Sequence, residues 1–134
     1  MIIKEFDKII EILKNAKNIA IVGISKNEER ASYQIAKKLD KHNLFLVNPK
    51  YANEEILGRK VYSSLKEINE EIDIVDVFRN RDYAEEVLRE AIEIKAKFIW
   101  FQPGSENIEA IEKYKDRIDI IFNACIGVIN NFIQ

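Results

Sequence analysis

The run Asn18-Ile19-Ala20-Ile21-Val22-Gly23-Ile24-Ser25, continuing to Arg30-Ala31-Ser32, carries the residues of this chain best suited to holding an anion. A short β-branched stretch stops at a glycine. Polar residues follow, then an arginine and a serine that could cap a helix. Strand, tight turn and helix start together set free backbone N–H groups where a phosphate can sit. The layout points to a nucleotide-like ligand, and a lone glycine leaves its identity open. A dinucleotide fingerprint would need G-x-G-x-x-G here and an acid at the end of the second strand to hold the ribose hydroxyls. Gly23 has no second or third glycine after it, and the second strand ends at Asn48. Both departures weigh against NAD. No glycine is followed by Lys-Ser or Lys-Thr, which excludes a P-loop. What remains is a site that takes a phosphate-bearing ligand through one glycine, hydroxyls and cations. Lys50 offers positive charge where a dinucleotide enzyme usually places an acid.

The other reactive side chains read as structural. One cysteine and one histidine cannot make a structural zinc site, so no metal is expected. His42 falls at the C-terminal end of a predicted helix, where an imidazolium suits the dipole. Asp73 and Asp76 lie on opposite faces of one strand because side chains alternate, so they are not a catalytic carboxylate pair. Asp76 is expected to satisfy nearby backbone N–H groups, and Asp73 a strand-end turn. Arg79 and Arg81 could be solvated loop charges, Trp100 reads as core, and Cys125 as a small buried hydrophobe. With no activated nucleophile pair and no general base in view, no catalytic residue is assigned.

The elements that must position these residues follow from periodicity. Phe6, Ile9, Ile10 and Leu13 lie on one face of a helix, and Ile19 to Ile24 form a strand. Ala31, Ile35, Ala36 and Leu39 predict the next helix, and Leu44 to Val47 a strand ending at Asn48-Pro49. Gly58 and Lys60-Val61-Tyr62 suggest a minor edge strand, with a helical turn near Ser64 to Ile68. Ile72 to Phe78 is a strand, and Ala84, Val87, Leu88, Ala91 and Ile92 give a clear helical stripe. Phe98 to Phe101 is a strand broken by Pro103-Gly104. Ser105 is read as the cap of a helix carrying Ile108 and Ile111, and Asp119 to Phe122 is the last strand. Strands separated by helices pair in parallel through right-handed crossovers, giving a three-layer α/β sandwich. Gly23, Pro49, Pro103 and Gly104 all fall just past strand C-termini, the edge where such sheets bind ligands.

Composition narrows the class further. At 134 residues the chain is expected to be one domain, residues 1–134. Its 21 basic and 23 acidic residues are mixed along the sequence, for a net charge of -2, which argues against nucleic acid or a membrane surface as partner. No apolar run approaches a membrane span, the first residues lack signal-peptide order, and a single cysteine suits a cytoplasmic location.

Six blocks occur in order over most of the chain: Val22-Gly23-Ile24-Ser25, Arg30-Ala31-Ser32, Val47-Asn48-Pro49, Asp76-Val77-Phe78-Arg79, Trp100-Phe101-Gln102-Pro103-Gly104 and Asn123-Ala124-Cys125-Ile126. Together they resemble the small, single-domain CoA-binding protein family, and are similar to the CoA-binding domain of the succinyl-CoA synthetase alpha subunit. The resemblance implies a Rossmann-like domain with a mainly parallel sheet that binds coenzyme A, free or as acyl-CoA, along the C-terminal sheet edge. It implies that Gly23 lets the backbone approach the pyrophosphate while Ser25 and Ser32 donate hydroxyl hydrogen bonds to it. Arg30 would clamp a phosphate. Asn48 and Pro49 would shape the adenosine pocket, and Lys50 would pair with the 3′-phosphate. Val77 and Phe78 would add apolar contact and Arg79 a second cation. Gln102, Pro103 and Gly104 would line the pantetheine path, with Asn123 and Cys125 near its far end.

Two positions depart from that family: Ala124 stands where a basic residue often precedes the cysteine, and Asn130-Asn131 where a His or acid often follows. The resemblance implies a CoA-binding protein without catalytic machinery of its own. The alternatives are a CoA-dependent subunit of a synthetase-like enzyme, a nicotinamide-dependent reductase, and a redox-responsive module switched by Cys125. A homodimer or a protein partner stays open.

Overall fold

Each run read as a strand is a strand in the computed structural model, which describes residues 1–133. In chain order the elements are β1 (Ile2–Ile3), α1 (Phe6–Asn15), β2 (Asn18–Val22), α2 (Ala31–Lys38), β3 (Asn43–Val47), β4 (Glu55–Ile56) and β5 (Arg59–Tyr62). Then come β6 (Ile74–Val77), α3 (Ala84–Glu93), β7 (Phe98–Phe101), α4 (Ile108–Tyr114), β8 (Asp119–Ile121) and α5 (Ile126–Asn130). They form one sheet in the order β1-β8-β7-β6-β2-β3-β5-β4. Every pairing is parallel except β4 with β5. From β2 the chain first moves outward to β3, then returns to lay β6 on the opposite side. The strand order therefore reverses between β2 and β6, and a crevice opens there.

Alternation along the strands divides the core. Ala20, Val22, Val75, Val77, Ile99 and Phe101 face α3 and α4. Ile19, Ile21, Ile74, Trp100 and Ile121 face α1, α2 and α5. Both faces are covered, which is why the strands read as continuous apolar runs instead of half-polar ones. Trp100 is fully buried in the second layer and donates its indole N–H to the Ala124 carbonyl, 2.8 Å away.

The structure corrects several sequence readings. The Lys60-Val61-Tyr62 strand is not at the edge: β5 lies between β3 and β4, and β4 is the outer strand. Leu57 and Gly58 join this hairpin with φ of 54° and 72°, the paired positive values of a tight type I′ turn. Ser32 does not cap α2; it sits in the first turn, and Arg30 holds the N-cap position with no side-chain cap bond. Nor does Ser105 cap α4. Asn107 does, its side chain accepting from the Ala110 N–H at 3.2 Å. His42 is buried beyond α2, and its Nδ1–H donates to the carbonyl of Ala16, the C-cap of α1, at 2.8 Å. Its partner is thus another helix's end and not its own.

Asp73 closes a strand-end turn: one oxygen accepts from the Lys17 and Asn18 N–H groups at 2.8 and 2.9 Å. Partial burial opposes its ionisation, but those N–H groups and the Lys97 ammonium outweigh burial and hold its carboxyl below the usual range.

Candidate functional site

The C-terminal edge of the sheet collects the loops after β3, β2, β6, β7 and β8 in that spatial order. Backbone bonds knit the first three together: Gly23 N–H to Val47 O at 2.9 Å, and Phe78 N–H to Val22 O at 2.8 Å. Asn48 adds a side-chain clamp, its amide donating to the Ile24 carbonyl at 2.7 Å while its oxygen accepts from the Lys50 N–H at 3.0 Å. Asn48 therefore fixes the second-strand loop against the first, a role an acid could not fill at the donor end.

Beyond Gly23 the loop folds on its own hydroxyls. Ser32 Oγ accepts from the Ser25 N–H at 3.0 Å, and Ser25 Oγ accepts from the Asn27 N–H at 3.0 Å. Ser25 stays half-exposed and keeps its hydroxyl proton to donate, whereas Ser32 is buried. The first intrahelical bond of α2 runs from the Gln34 N–H to the Arg30 carbonyl. The N–H groups of Ala31 to Tyr33 thus precede the helical ladder at an end with no capping side chain, and Arg30 is exposed beside them. The helix dipole and the Arg30 guanidinium both suit an anion at this end, with Glu28 and Glu29 exposed just before it.

Gly23 has a reason of its own. Its φ is +93°, and a Cβ there would stand 2.8 Å from the Phe78 carbonyl oxygen and 3.0 Å from its carbon. The fold requires glycine here before any ligand is considered, because the chain leaving β6 passes against it.

On the other side of the switch point a cavity of about 150 Å³ lies between the ends of β2, β3 and β5 and the start of α3. Val22, Pro49, Ser63, Ser64 and Arg79 line it, together with the carboxylates Glu86 and Glu90 of α3. Arg79 is half-buried, its guanidinium carbon 3.9 Å from the centroid of the Tyr83 ring. Lys50 is exposed nearby, its ammonium 5.4 Å from the Tyr51 ring, with Lys26 5.6 Å from the same ring. The sequence reading passed over Ser63 and Ser64. The signal was a polar pair directly after the β5 run, the same strand-end position as the other edge residues.

Three expected contacts are placed differently. Val77 is 1% exposed and belongs to the core under α3, so it backs the crevice without lining it. Gln102 is 3% exposed: its amide donates to Asp76 Oδ1, and its oxygen accepts from the Ile126 N–H at 3.1 Å. It supports the edge from beneath. Asp76 does not satisfy backbone N–H groups; it is fully buried, and its second oxygen has no partner among the described residues. Burial pushes its carboxyl well above the usual carboxylate range, against the smaller opposing effect of Gln102. Phe78 is half-buried, and Gly104 and Asn123 are exposed with φ of 95° and 65°. Cys125 is half-buried at the N-cap of α5.

A larger groove of about 510 Å³ lies at the opposite, N-terminal edge, beside Glu5, Lys8, Glu11, Asp73 and Lys97. Its charges are mixed in sign, and Asp73 and Lys97 are already paired at 3.2 Å. Open α/β sheets bind ligands at the other edge, where the N-terminus of α2, Arg30 and Lys50 lie. Topology favours the smaller cavity.

The fold and the topology of this edge define a Rossmann-like α/β domain. A family profile described as "CoA binding domain" matches residues 17–131, and the chain belongs to that family. It is 39% identical over 124 residues to the protein YneT of Bacillus subtilis (strain 168), covering 90% of each chain. It is 31% identical to an ADP-forming acetate–CoA ligase of Methanocaldococcus jannaschii, covering 93% of this chain but 19% of the ligase. Among solved structures, a hypothetical protein from Pyrococcus horikoshii OT3 superposes with a TM-score of 0.90 at 35% identity, over 97% of this chain and 92% of that one. Among the described residues, no helix is long and apolar enough to cross a membrane.

Proposed function

We propose that this protein binds coenzyme A, free or as an acyl-CoA, along the C-terminal sheet edge, as a binding module without catalytic groups of its own. The observation that carries the reading is the uncapped N-terminus of α2, with Arg30 at its N-cap, opening beside Gly23 where strand order reverses. The pyrophosphate would take the free N–H groups, Ser25 and Arg30. The adenosine would enter the cavity between Pro49 and Arg79, with Lys50 toward the 3′-phosphate. The pantetheine arm would cross over Phe78, Pro103 and Gly104 toward Asn123 and Cys125.

A thermal-shift panel of CoA, acyl-CoAs, NAD, NADP, FAD and ATP tests this. A ligand at a hundredfold excess over its Kd stabilises by about 2.7 kcal/mol, roughly 10 °C for a chain of this size. CoA should shift the midpoint and NAD should not. Stabilisation by NAD or NADP alone would replace this reading with the reductase.

The ligase match favours a second reading, in which the chain supplies the CoA-binding part of a synthetase-like assembly. Co-purification of an ATP-binding partner would support it, and a self-sufficient monomer or dimer would count against it.

A further inference from the structure

A second cavity opens on the same edge, at the far end of the loop row. It measures about 430 Å³ and lies between α1, α5 and the end of β8. Phe6 and Ile9 of α1, Phe122 and Ala124 after β8, and Ile129 of α5 form its walls, and Asn123 and Lys4 add the polar groups. Among the described residues no carboxylate lines it. The volume falls in the range of small-ligand sites, and the walls are mainly apolar, as such sites are. Part of the apolar wall faces water. Phe6 is 48% exposed, and its ring meets that of Phe132, 57% exposed, edge to face at 5.1 Å. The pair extends the apolar wall of the cleft out to its rim.

Position says what would cover it. β8 lies three strands from β2, about 14–15 Å at the usual spacing. That span suits an extended pantetheine arm whose pyrophosphate sits at α2. The arm's sulfur then arrives beside Asn123, at the mouth of the cleft. We infer that the cleft seats the acyl chain of an acyl-CoA, so that the ligand is a thioester of an apolar acid in preference to free CoA. This rests on the binding reading above, and extends it from the nucleotide to the group carried on sulfur.

Titration calorimetry of the full chain with CoA, acetyl-CoA, hexanoyl-CoA and decanoyl-CoA, with free decanoate as control, tests the inference. Affinity should rise with chain length, by up to about fourfold per methylene buried. Phe6→Glu, at an exposed position outside the proposed nucleotide contacts, should abolish that rise and leave free-CoA affinity as it was. CoA binding with no dependence on chain length would overturn the inference and leave the binding reading intact. A rise that survives in Phe6→Glu places the chain elsewhere and also overturns it. Decanoate binding as tightly as decanoyl-CoA, or a dimer in solution that Phe6→Glu dissociates, would show a general apolar docking face instead. Failure of every CoA species to bind would remove the binding reading and the inference with it.

Discussion

Replacing Gly23 by alanine separates the demands of the fold from those of the ligand. An L-residue held at φ +93° is in left-handed territory, which costs about 1–2 kcal/mol. The new Cβ would also sit 2.8 Å from the Phe78 carbonyl oxygen, inside any real contact distance. That carbonyl cannot simply retreat, because the N–H of the same residue is held to Val22 O at 2.8 Å. Overpacking of this kind costs about 1–3 kcal/mol, so the sum is roughly 2–5 kcal/mol. At about 2.1 cal/mol/K of unfolding entropy per residue, each kcal/mol shifts the Tm of a chain this long by roughly 3.5 °C. Circular-dichroism melts without ligand should therefore show Gly23→Ala unfolding about 7–17 °C below the parent. If the variant melts within about 2 °C of it, the crowding argument fails, and the glycine is there only to admit a ligand.

Arg30→Ala should weaken CoA binding by about 1.5–3 kcal/mol, roughly ten- to a hundredfold, the range for hydrogen bonds to charged groups. Equal affinity by calorimetry would remove Arg30 from the phosphate site. Asp76 gives a pH signature. Between the unfolded value near 3.8 and its raised folded value, the native protein holds one more proton than the unfolded chain. Stability then falls as pH rises, by up to about 1.4 kcal/mol per unit. Asp76→Asn keeps an oxygen for Gln102 and removes that slope, so its Tm should exceed the parent's at pH 7 and not near pH 4; parallel pH profiles would contradict this.

Much of the fold was legible because it is written in short-range patterns. The apolar runs around Ile21, Leu46, Val75 and Ile99 announce buried parallel strands, and the stripe Ala84, Val87, Leu88, Ala91 announces α3. What escaped depends on distant partners. Ile2-Ile3 is a strand only because β8 lies beside it. Two residues carry no period of their own. α5 has five residues, too few for a helical stripe, and its first N–H is claimed by Gln102, just past β7. The cap errors at Ser32 and Ser105 share one cause: a capping residue can sit on either side of a helix start, and tertiary bonds decide which does. At the edge the residue types were readable and their orientation was not. Asp76 and Gln102 resemble loop-facing polar groups in the sequence, yet the pleat turns both inward.

The pairing of β1 with β8 bears on synthesis. Among the described residues the first strand pairs only with β8, about 118 residues later. A chain cut short before Asp119 would lack β8, leaving the far side of β7 as an open ladder. That edge reads Phe98-Ile99-Trp100-Phe101, uncharged and strongly β-forming, the kind of segment that templates strand-to-strand association between molecules. Completing β8 hides it, and β1 then covers β8 in turn. A chain truncated before Asp119 should therefore associate with itself more readily than one that carries β8.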